Sequence, residues 1–309
     1  MHVALIGIGR VGQATAFALA HEHYIDELTL VDLSPKLAWA VGEEMRHARV
    51  GMHIPIEVNA FENASEITNA DIIIVAAGQP AKAGMGRRPL VAANAKIIKS
   101  LAETITPRNP QARYIIVTNP VDAMATLFKK TSKANYVISS GCHLDTLRFR
   151  AEIAKHLKAP LNHVEGYVAG EHGDNDVYLW STTKVSGISF DEYSREKNRI
   201  VDKEDIINEV HENTEAILGK LGGTMYGPAT SFRQIVRSIA LNTNSLISVG
   251  TPYKTTEIPE PVHISIPLKL GMSLGPSIEH ELTTQEKKGL QEAAKAVYDT
   301  YEIARENST

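Results

Sequence analysis

The stretch LIGIGRVG, residues 5–12, sets three glycines directly after an apolar run at the head of the chain. In a G-x-G-x-x-G arrangement the first glycine, Gly7, makes a tight turn off a strand. Gly9 lets the backbone approach a pyrophosphate, and Gly12 lets the following helix sit close to the sheet. The helix start then offers unsatisfied N–H groups and partial positive charge to phosphates. Three glycines by themselves make only a turn; their context adds the chemistry. The motif follows a strand and opens a helix, and LTLVD places Asp32 twenty residues beyond Gly12 at the end of a second strand. A carboxylate there accepts hydrogen bonds from both hydroxyls of an adenosine ribose and repels a 2′-phosphate, so the expected cofactor is NAD rather than NADP.

Three further stretches hold more polar and charged groups than packing needs. TNPVD follows the apolar run from Tyr114 to Val117, which puts Asn119 at the carboxyl end of a strand, the edge where doubly wound sheets bind ligands. LDTLRFR sets Asp145 and Arg148 three apart on one helical face, and GEHGD brackets His172 with glycines that leave the imidazole open on both sides. Each stretch also has a plainer reading, as an Asn-Pro turn, a surface salt bridge and a loop histidine.

The elements that would position these groups are visible as periodicity. Strand-like apolar runs alternate with helix-period segments through the first half: HVALIG, ATAFALAHE, LTLVD, SPKLAWAVGEEMRHA, DIIIVAAG and RYIIVTNP. This alternation predicts an α/β fold with a doubly wound parallel sheet and helices on both faces. IIIVAA and YIIVT are continuously apolar, as strands covered on both sides are, and belong at its centre. RPLVAANAKIIKSLAETI predicts a helix with Pro89 in its first turn, packing on the sheet through Leu90, Ala93, Ile97, Leu101 and Ile105. Beyond about Gly141 the pattern mixes helices such as LDTLRFRAEIAKHL with strands such as VHISIPLKL. A mixed α+β domain over 143–309 is therefore expected after a first domain over 1–142, with no flexible tether between them. Thr283 and Glu286 form a capping-box start for the last helix.

Composition narrows the partners. The 309 residues are 43% hydrophobic and 22% charged with a net charge of −4, and the basic residues are scattered, so no nucleic-acid or membrane surface is expected. Small molecules and other copies of the chain remain. No apolar run reaches the roughly 18 residues of a membrane span, and the early glycine motif leaves no room for a signal peptide, so the expected location is cytoplasmic. The one cysteine, Cys142, excludes an internal disulfide and a multi-cysteine metal site, and reads as a buried structural thiol. His21 and His23 in HEHY, two apart, share no helical face, so no metal is expected.

Taken in this order and at these separations, GIGRVG, VD, AAGQPAKAGMGRRPL, TNPVD, LDTLRFR and GEHGD resemble the lactate/malate dehydrogenase family, from Met1 to the C-terminal helix. The resemblance implies a Rossmann domain followed by a catalytic domain, in a homodimer or homotetramer that acts on a 2-hydroxy or 2-oxo acid. It implies that His172 takes the hydroxyl proton while hydride leaves C2 for the nicotinamide, with Asp145 holding the other ring nitrogen and stabilising the imidazolium. Arg148 would clamp the substrate C1 carboxylate through two hydrogen bonds, and Asn119 would donate to the substrate oxygen. Arg87 matches a mobile-loop arginine that polarises the carbonyl as the loop closes and excludes water. Asn94 matches a position near cofactor and substrate. Ile8, Arg10, Val11, Ala77, Gly78 and Val117 join the glycines, Asp32, Asn94 and Asn119 on the cofactor side, and Thr224 joins the substrate side.

The chain departs from the family pattern at the specificity position, where Ala81 replaces the arginine usual in malate enzymes and the glutamine usual in lactate enzymes. AGQP and GMGR look malate-like, Glu171 and VYLWS are similar to lactate enzymes, and GGTMYGPA resembles the archaeal-type malate branch. Between Gly78 and Leu90 the loop carries Lys82, Arg87 and Arg88 and no acid. With Arg87 on the reacting carbonyl, Lys82 or Arg88 remains for a second carboxylate, which favours malate and oxaloacetate over lactate, pyruvate or a broader set of 2-oxo acids. A non-catalytic NAD-binding protein on the same fold would show an eroded His, Asp and Arg set, and these positions are filled. A reductase of the tyrosine/lysine type would need a Tyr-x-x-x-Lys pair on a helix, which Tyr298 and Tyr301 do not supply.

Overall fold

The alternating apolar runs of the first half fold as alternating strands and helices. The computed structural model describes residues 1–79 and 87–308, apart from the side chains of Arg87 and Arg88. It opens with β1 (His2–Ile6), α1 (Arg10–Leu19), β2 (Glu27–Val31), α2 (Leu37–Met52) and β3 (Glu57–Phe61). There follow β4 (Ile72–Val75), α3 (Arg87–Ile105), β5 (Arg113–Ile116), α4 (Val121–Ser132) and β6 (Val137–Ser139). These strands pair in parallel in the order β3-β2-β1-β4-β5-β6, so the winding reverses between β1 and β4. The carboxyl edge of such a switch point is where open α/β sheets bind ligands.

Successive side chains go to opposite faces. Val3, Leu5, Ile72 and Ile74 pack with Ala16 and Leu19 of α1, whereas Ala4, Ile6, Ile73 and Val75 pack with α3 and with Met124 and Phe128 of α4. Cover on both faces explains the continuously apolar strands. On α3 the buried stripe is Val91, Ala95, Ile98, Ala102 and Ile105. Of the expected stripe, Leu90, Ala93, Ile97 and Leu101 are only half-buried. Two neighbouring apolar stripes run along this helix, and periodicity does not choose between them. Burial of the polar Asn94, whose amide is satisfied by two loops, turns the helix towards the second.

The rest of the chain comprises α5 (His143–Leu157), β7 (Val164–Glu165), β8 (Val168–Gly170), β9 (Asp176–Tyr178), β10 (Lys184–Val185) and β11 (Ile188–Ser189). After these come α6 (Phe190–Glu196), α7 (Lys203–Leu221), α8 (Tyr226–Ala240), β12 (Ser245–Tyr253), β13 (Val262–Leu270), β14 (Leu274–Ser277) and α9 (Thr284–Asn307). The expected division at 142/143 falls in the connection from β6 to α5, and the sheet runs across it. β12 lies antiparallel to β6 through Gly250 opposite Ser139, then pairs with β13, which carries β8 and β9. A Cβ on Gly250 would lie 2.0 Å from Ser139 Oγ, so this seam tolerates no side chain. Cys142 sits beside it, fully buried, donating weakly to the Ala169 carbonyl at 3.5 Å, with its thiol pKa pushed well up by burial. Among the described residues no helix is long and apolar enough to cross a membrane.

The capping box forms as expected. Glu286 Oε2 accepts from the Thr283 N–H at 2.8 Å and from Ser181 Oγ, while Thr283 Oγ1 accepts from the Glu286 N–H at 3.2 Å. Glu286→Ala should therefore cost about 1–2 kcal/mol, from the lost cap and the stranded Ser181 hydroxyl. A urea midpoint unchanged from the parent protein would refute this.

Candidate active site

The strand β1 runs straight into the glycines. Gly7 adopts φ +99°, and a Cβ there would sit 2.5 Å from the Ala77 nitrogen beyond β4; one on Gly12 would lie 2.0 Å from the Gly7 carbonyl oxygen. Backbone packing demands both. Gly9 differs: its φ of −70° suits any residue, and a Cβ on it would meet nothing within 4 Å. Gly9 also caps α1 with no side-chain bond to the first turn, which carries no acidic residue. Unsatisfied N–H groups over open space form a cradle that fits a pyrophosphate.

Asp32 accepts from the Ile8 N–H at 2.7 Å and from the Ser34 N–H at 2.8 Å, which fixes the carboxylate beside the glycine turn with acceptor capacity left for a ribose diol. The Ile8 amide is thus committed to Asp32 and its side chain is fully buried, so Ile8 shapes the loop and does not offer a donor. Val11 packs half-buried against the core. The Arg10 guanidinium donates to the Leu221 carbonyl and lies by Gly222 and Gly223, which brings the α7–α8 connection, with Thr224, against the glycine turn.

The ends of β4 and β5 are stitched together. Asn94, 1% exposed, accepts from the Gln79 N–H at 2.7 Å and donates to the Asn119 carbonyl at 2.7 Å. Val117 donates to the Val75 carbonyl, Thr118 Oγ1 donates to the Ala77 carbonyl, and a Cβ on Gly78 would lie 2.6 Å from Thr118 Cγ2. Ala77, Gly78, Asn94 and Val117 therefore form the frame, and Asn119 is exposed on it, as is Gly78.

Asp145, in the first turn of α5, meets His172 Nδ1 at 2.6 Å with one oxygen and accepts from Arg148 Nη1 at 3.0 Å with the other. Its side chain is 10% exposed, so this is no surface salt bridge. The charge of Asp145 raises the His172 imidazole to about 9, against the opposing effect of burial. Burial works to raise Asp145 itself, but the charges of His172 and Arg148 hold it below its ordinary value. The contrast with two buried histidines is informative: burial above all, with the charges of Arg150 beside one and Lys129 and Lys130 beside the other, drives His143 and His263 down to about 4. His172 has a carboxylate to keep Nδ1 protonated, which leaves Nε2 to exchange a proton with a ligand.

One residue at this site is missing from the sequence-based set. The His172 N–H donates to Asp122 Oδ2 at 2.9 Å, and Ser139 Oγ donates to Asp122 Oδ1. Every residue from Val121 to Phe128 is buried, so Asp122 is a charge in a helix segment with no polar face, and that break in amphipathicity was the available signal. Ala81, Lys82 and the side chains of Arg87 and Arg88 lie outside the described residues.

Two other groupings fall to structural roles. Tyr193 and Lys197 do have the Tyr-x-x-x-Lys spacing, but Tyr193 packs with Phe149 and Phe190, and Lys197 Nζ sits 5.5 Å from its ring. Glu152, His156 and Glu209 bring ligand atoms within 4.8 Å of one another, and Lys155 Nζ pairs with both carboxylates as their countercharge.

The three glycines should separate by experiment. Gly12→Ala should lower the melting temperature sharply, because its Cβ has no room. Gly9→Ala should leave melting nearly unchanged and weaken NADH binding about tenfold or more, a loss of at least about 1.4 kcal/mol. Unchanged NADH affinity in Gly9→Ala would remove the cradle.

Residues 1–137 match the family model for the lactate/malate dehydrogenase NAD binding domain, and residues 142–306 match that for the lactate/malate dehydrogenase alpha/beta C-terminal domain. A malate dehydrogenase of Sulfurisphaera tokodaii is 38% identical over 299 residues, covering 97% of this chain and 94% of its own. One from Sulfolobus acidocaldarius is 40% identical over 299 residues, covering 97% and 95%. An L-lactate dehydrogenase of Thermoanaerobacterium saccharolyticum is 33% identical over 303 residues, covering 96% and 97%. Similarity along both halves of the molecule, on top of a pyrophosphate cradle and a carboxylate-held histidine, makes this chain a member of the lactate/malate dehydrogenase family with an NAD-binding domain as its first part.

Proposed function

We propose that this protein is an NAD-dependent malate dehydrogenase, interconverting malate and oxaloacetate. The observation that carries the reading is the sharing of Asp145 between His172 and Arg148, which sets a proton acceptor beside a carboxylate clamp. When bound, NAD would supply the hydride acceptor, with its pyrophosphate over Gly9 and the start of α1 and its adenosine ribose on Asp32. His172 Nε2 takes the hydroxyl proton as hydride leaves C2, and returns it in the reverse direction. Asp145 keeps Nδ1 protonated and stabilises the imidazolium. Arg148, oriented by Asp145, grips the C1 carboxylate with a planar fork that lysine lacks. Asn119 donates to the reacting oxygen, Arg87 polarises it, and Thr224 lines the substrate side.

Malate is favoured by two considerations. The relatives at 38% and 40% identity are malate dehydrogenases, against 33% for the lactate enzyme. A second carboxylate left unpaired in a closed site would cost about 3–5 kcal/mol, and Lys82 and Arg88 are cations one and seven positions beyond Ala81 in the sequence. Assembly as a homodimer or homotetramer, with its work in the cytoplasm, belongs to the same proposal.

The decisive comparison is NADH oxidation with oxaloacetate and with pyruvate at equal low concentrations; faster turnover of pyruvate would replace malate with lactate. Ala81→Arg should raise kcat/KM for oxaloacetate, and the double variant Lys82→Ala, Arg88→Ala should lower it selectively. Equal losses with both substrates would count against those two cations.

The pH dependence has a definite sign. His172 sits at about 9 in the folded chain against 6.5 ordinarily, so its ion pair with Asp145 stabilises the fold fully below 6.5 and the benefit is lost as pH rises through 9. Oxidation needs the neutral ring, so kcat/KM for malate should climb with pH along a limb near 9 in the free enzyme, and that for oxaloacetate should fall over the same range. Asp145→Asn should move the limb down by about 1–3 units. His172→Asn should cut kcat by orders of magnitude with NADH binding intact, and near-normal turnover would exclude it from the chemistry.

A further inference from the structure

We propose that Asp122 is a positioning residue of the proton-transfer site, holding His172 by its main chain while Asp145 holds it by its ring. The inference rests on the reading of His172 as the group that exchanges the substrate proton.

The loop that carries His172 has little stiffness of its own. Gly170 and Gly173 flank the histidine at φ +87° and φ +154°, conformations in which glycine gives the backbone wide freedom. Asp145 bonds only the ring. The main chain is fixed instead by the 2.9 Å bond from the His172 N–H to Asp122 Oδ2, and by the Glu171 N–H to the Asn175 carbonyl at 3.1 Å. Asp122 is itself immobile: it is 2% exposed, it lies in the first turn of a wholly buried helix segment, and Ser139 on β6 donates to its other oxygen. Gly250 on β12 completes the enclosure, because a Cβ there would sit 2.7 Å from Asp122 Oδ1. The main chain of the catalytic histidine is thus tied to α4 and β6 through the Asp122 side chain.

An asparagine could make the same two bonds, accepting from the His172 N–H and donating to Ser139. A carboxylate in that place is harder to bury, and burial has moved it up to about 6. Above that value it is negative beside His172 and favours the imidazolium, so the charge adds to the tether. The other charged groups around the pair are Asp145 and Arg148 from α5, Glu171 next to the histidine, and Asp176 from β9, which faces Asp145. Arg148 opposes the imidazolium and Asp145 dominates it, so Asp122 acts as the smaller of two like-signed fields.

The test separates tether from charge. In Asp122→Asn both bonds persist, so melting and NADH affinity should match the parent protein. The His172 ring, followed by NMR in the protein without substrate and assigned by its loss in His172→Asn, should titrate about one unit lower. The limb of kcat/KM for malate should move with it. Asp122→Ala removes the tether as well, and should lower kcat about tenfold or more below the Asn variant with little change in KM. Should the Ala variant fail to fold, Ser139→Ala loosens the carboxylate and should reduce kcat several-fold while the ring titration stays in place. An unshifted ring in Asp122→Asn overturns the charge effect. Turnover in Asp122→Ala equal to that of the Asn variant, or undiminished turnover in Ser139→Ala, overturns the tether. The ring titration needs no substrate, so failure to reduce either oxaloacetate or pyruvate would overturn the proposed function, and with it the positioning role, while the shift of the His172 ring in Asp122→Asn would still decide the charge effect by itself.

Discussion

A carboxylate withdrawn from water between two cationic groups is the constraint that organises this molecule. Asp145 is 10% exposed at its side chain and has His172 on one oxygen and Arg148 on the other. Breaking such a buried pair by losing one partner costs about 3–5 kcal/mol, so the three side chains are kept or lost as a unit. Two of them come from one helix turn, three positions apart, and need only α5 to form. The third is delivered by the end of β8, on a different part of the sheet, and most of the second half of the fold exists to bring it there.

That delivery passes through the sheet. β6 meets β12 at one pair, Ser139 with Gly250; β12 runs beside β13 over nine pairs, Gly250 with Ser265 among them; and β13 meets β8 at one pair, Ser265 with Gly170. Small residues at each step let the strands and the α5 start approach closely; Ser265 Oγ accepts from the Cys142 N–H at 2.9 Å, directly ahead of α5. The glycine turn stands at the end of β1 and His172 just past β8, and one continuous sheet carries both. Relative placement of the two is therefore a matter of strand register rather than of a hinge.

The amino-acid sequence made most of this legible, for identifiable reasons. The parallel sheet was readable because IIIV and YII are apolar without interruption, and the cradle because glycine spacing and Asp32 stand in a fixed order. The start of α9 was readable because capping is a local matter between Thr283 and Glu286. What escaped was set by non-local contacts. The rotation of α3 depends on Asn94 finding acceptors and donors in two loops that lie 15 and 25 residues away in the chain. Asp122 stood inside a stretch already singled out, but its partner, the His172 amide, is 50 residues further on, and no local pattern announces that bond. His172 was singled out by its flanking glycines, but its raised pKa was not legible: burial lowers His172, His143 and His263 alike, and the Asp145 carboxylate bonded to its ring is what sets His172 apart.

The unequal duties of the three glycines bear on how such a fold would age. Two of them answer to the polypeptide itself: Gly7 to a turn at φ +99° against Ala77, Gly12 to the close passage of α1 over the Gly7 carbonyl. Gly9 answers to nothing within 4 Å. A descendant lineage that had abandoned its nucleotide would still be compelled to keep Gly7 and Gly12, and would be free to let Gly9 drift. In such a lineage the middle glycine is the fossil worth inspecting, since the outer pair record only that the chain still folds.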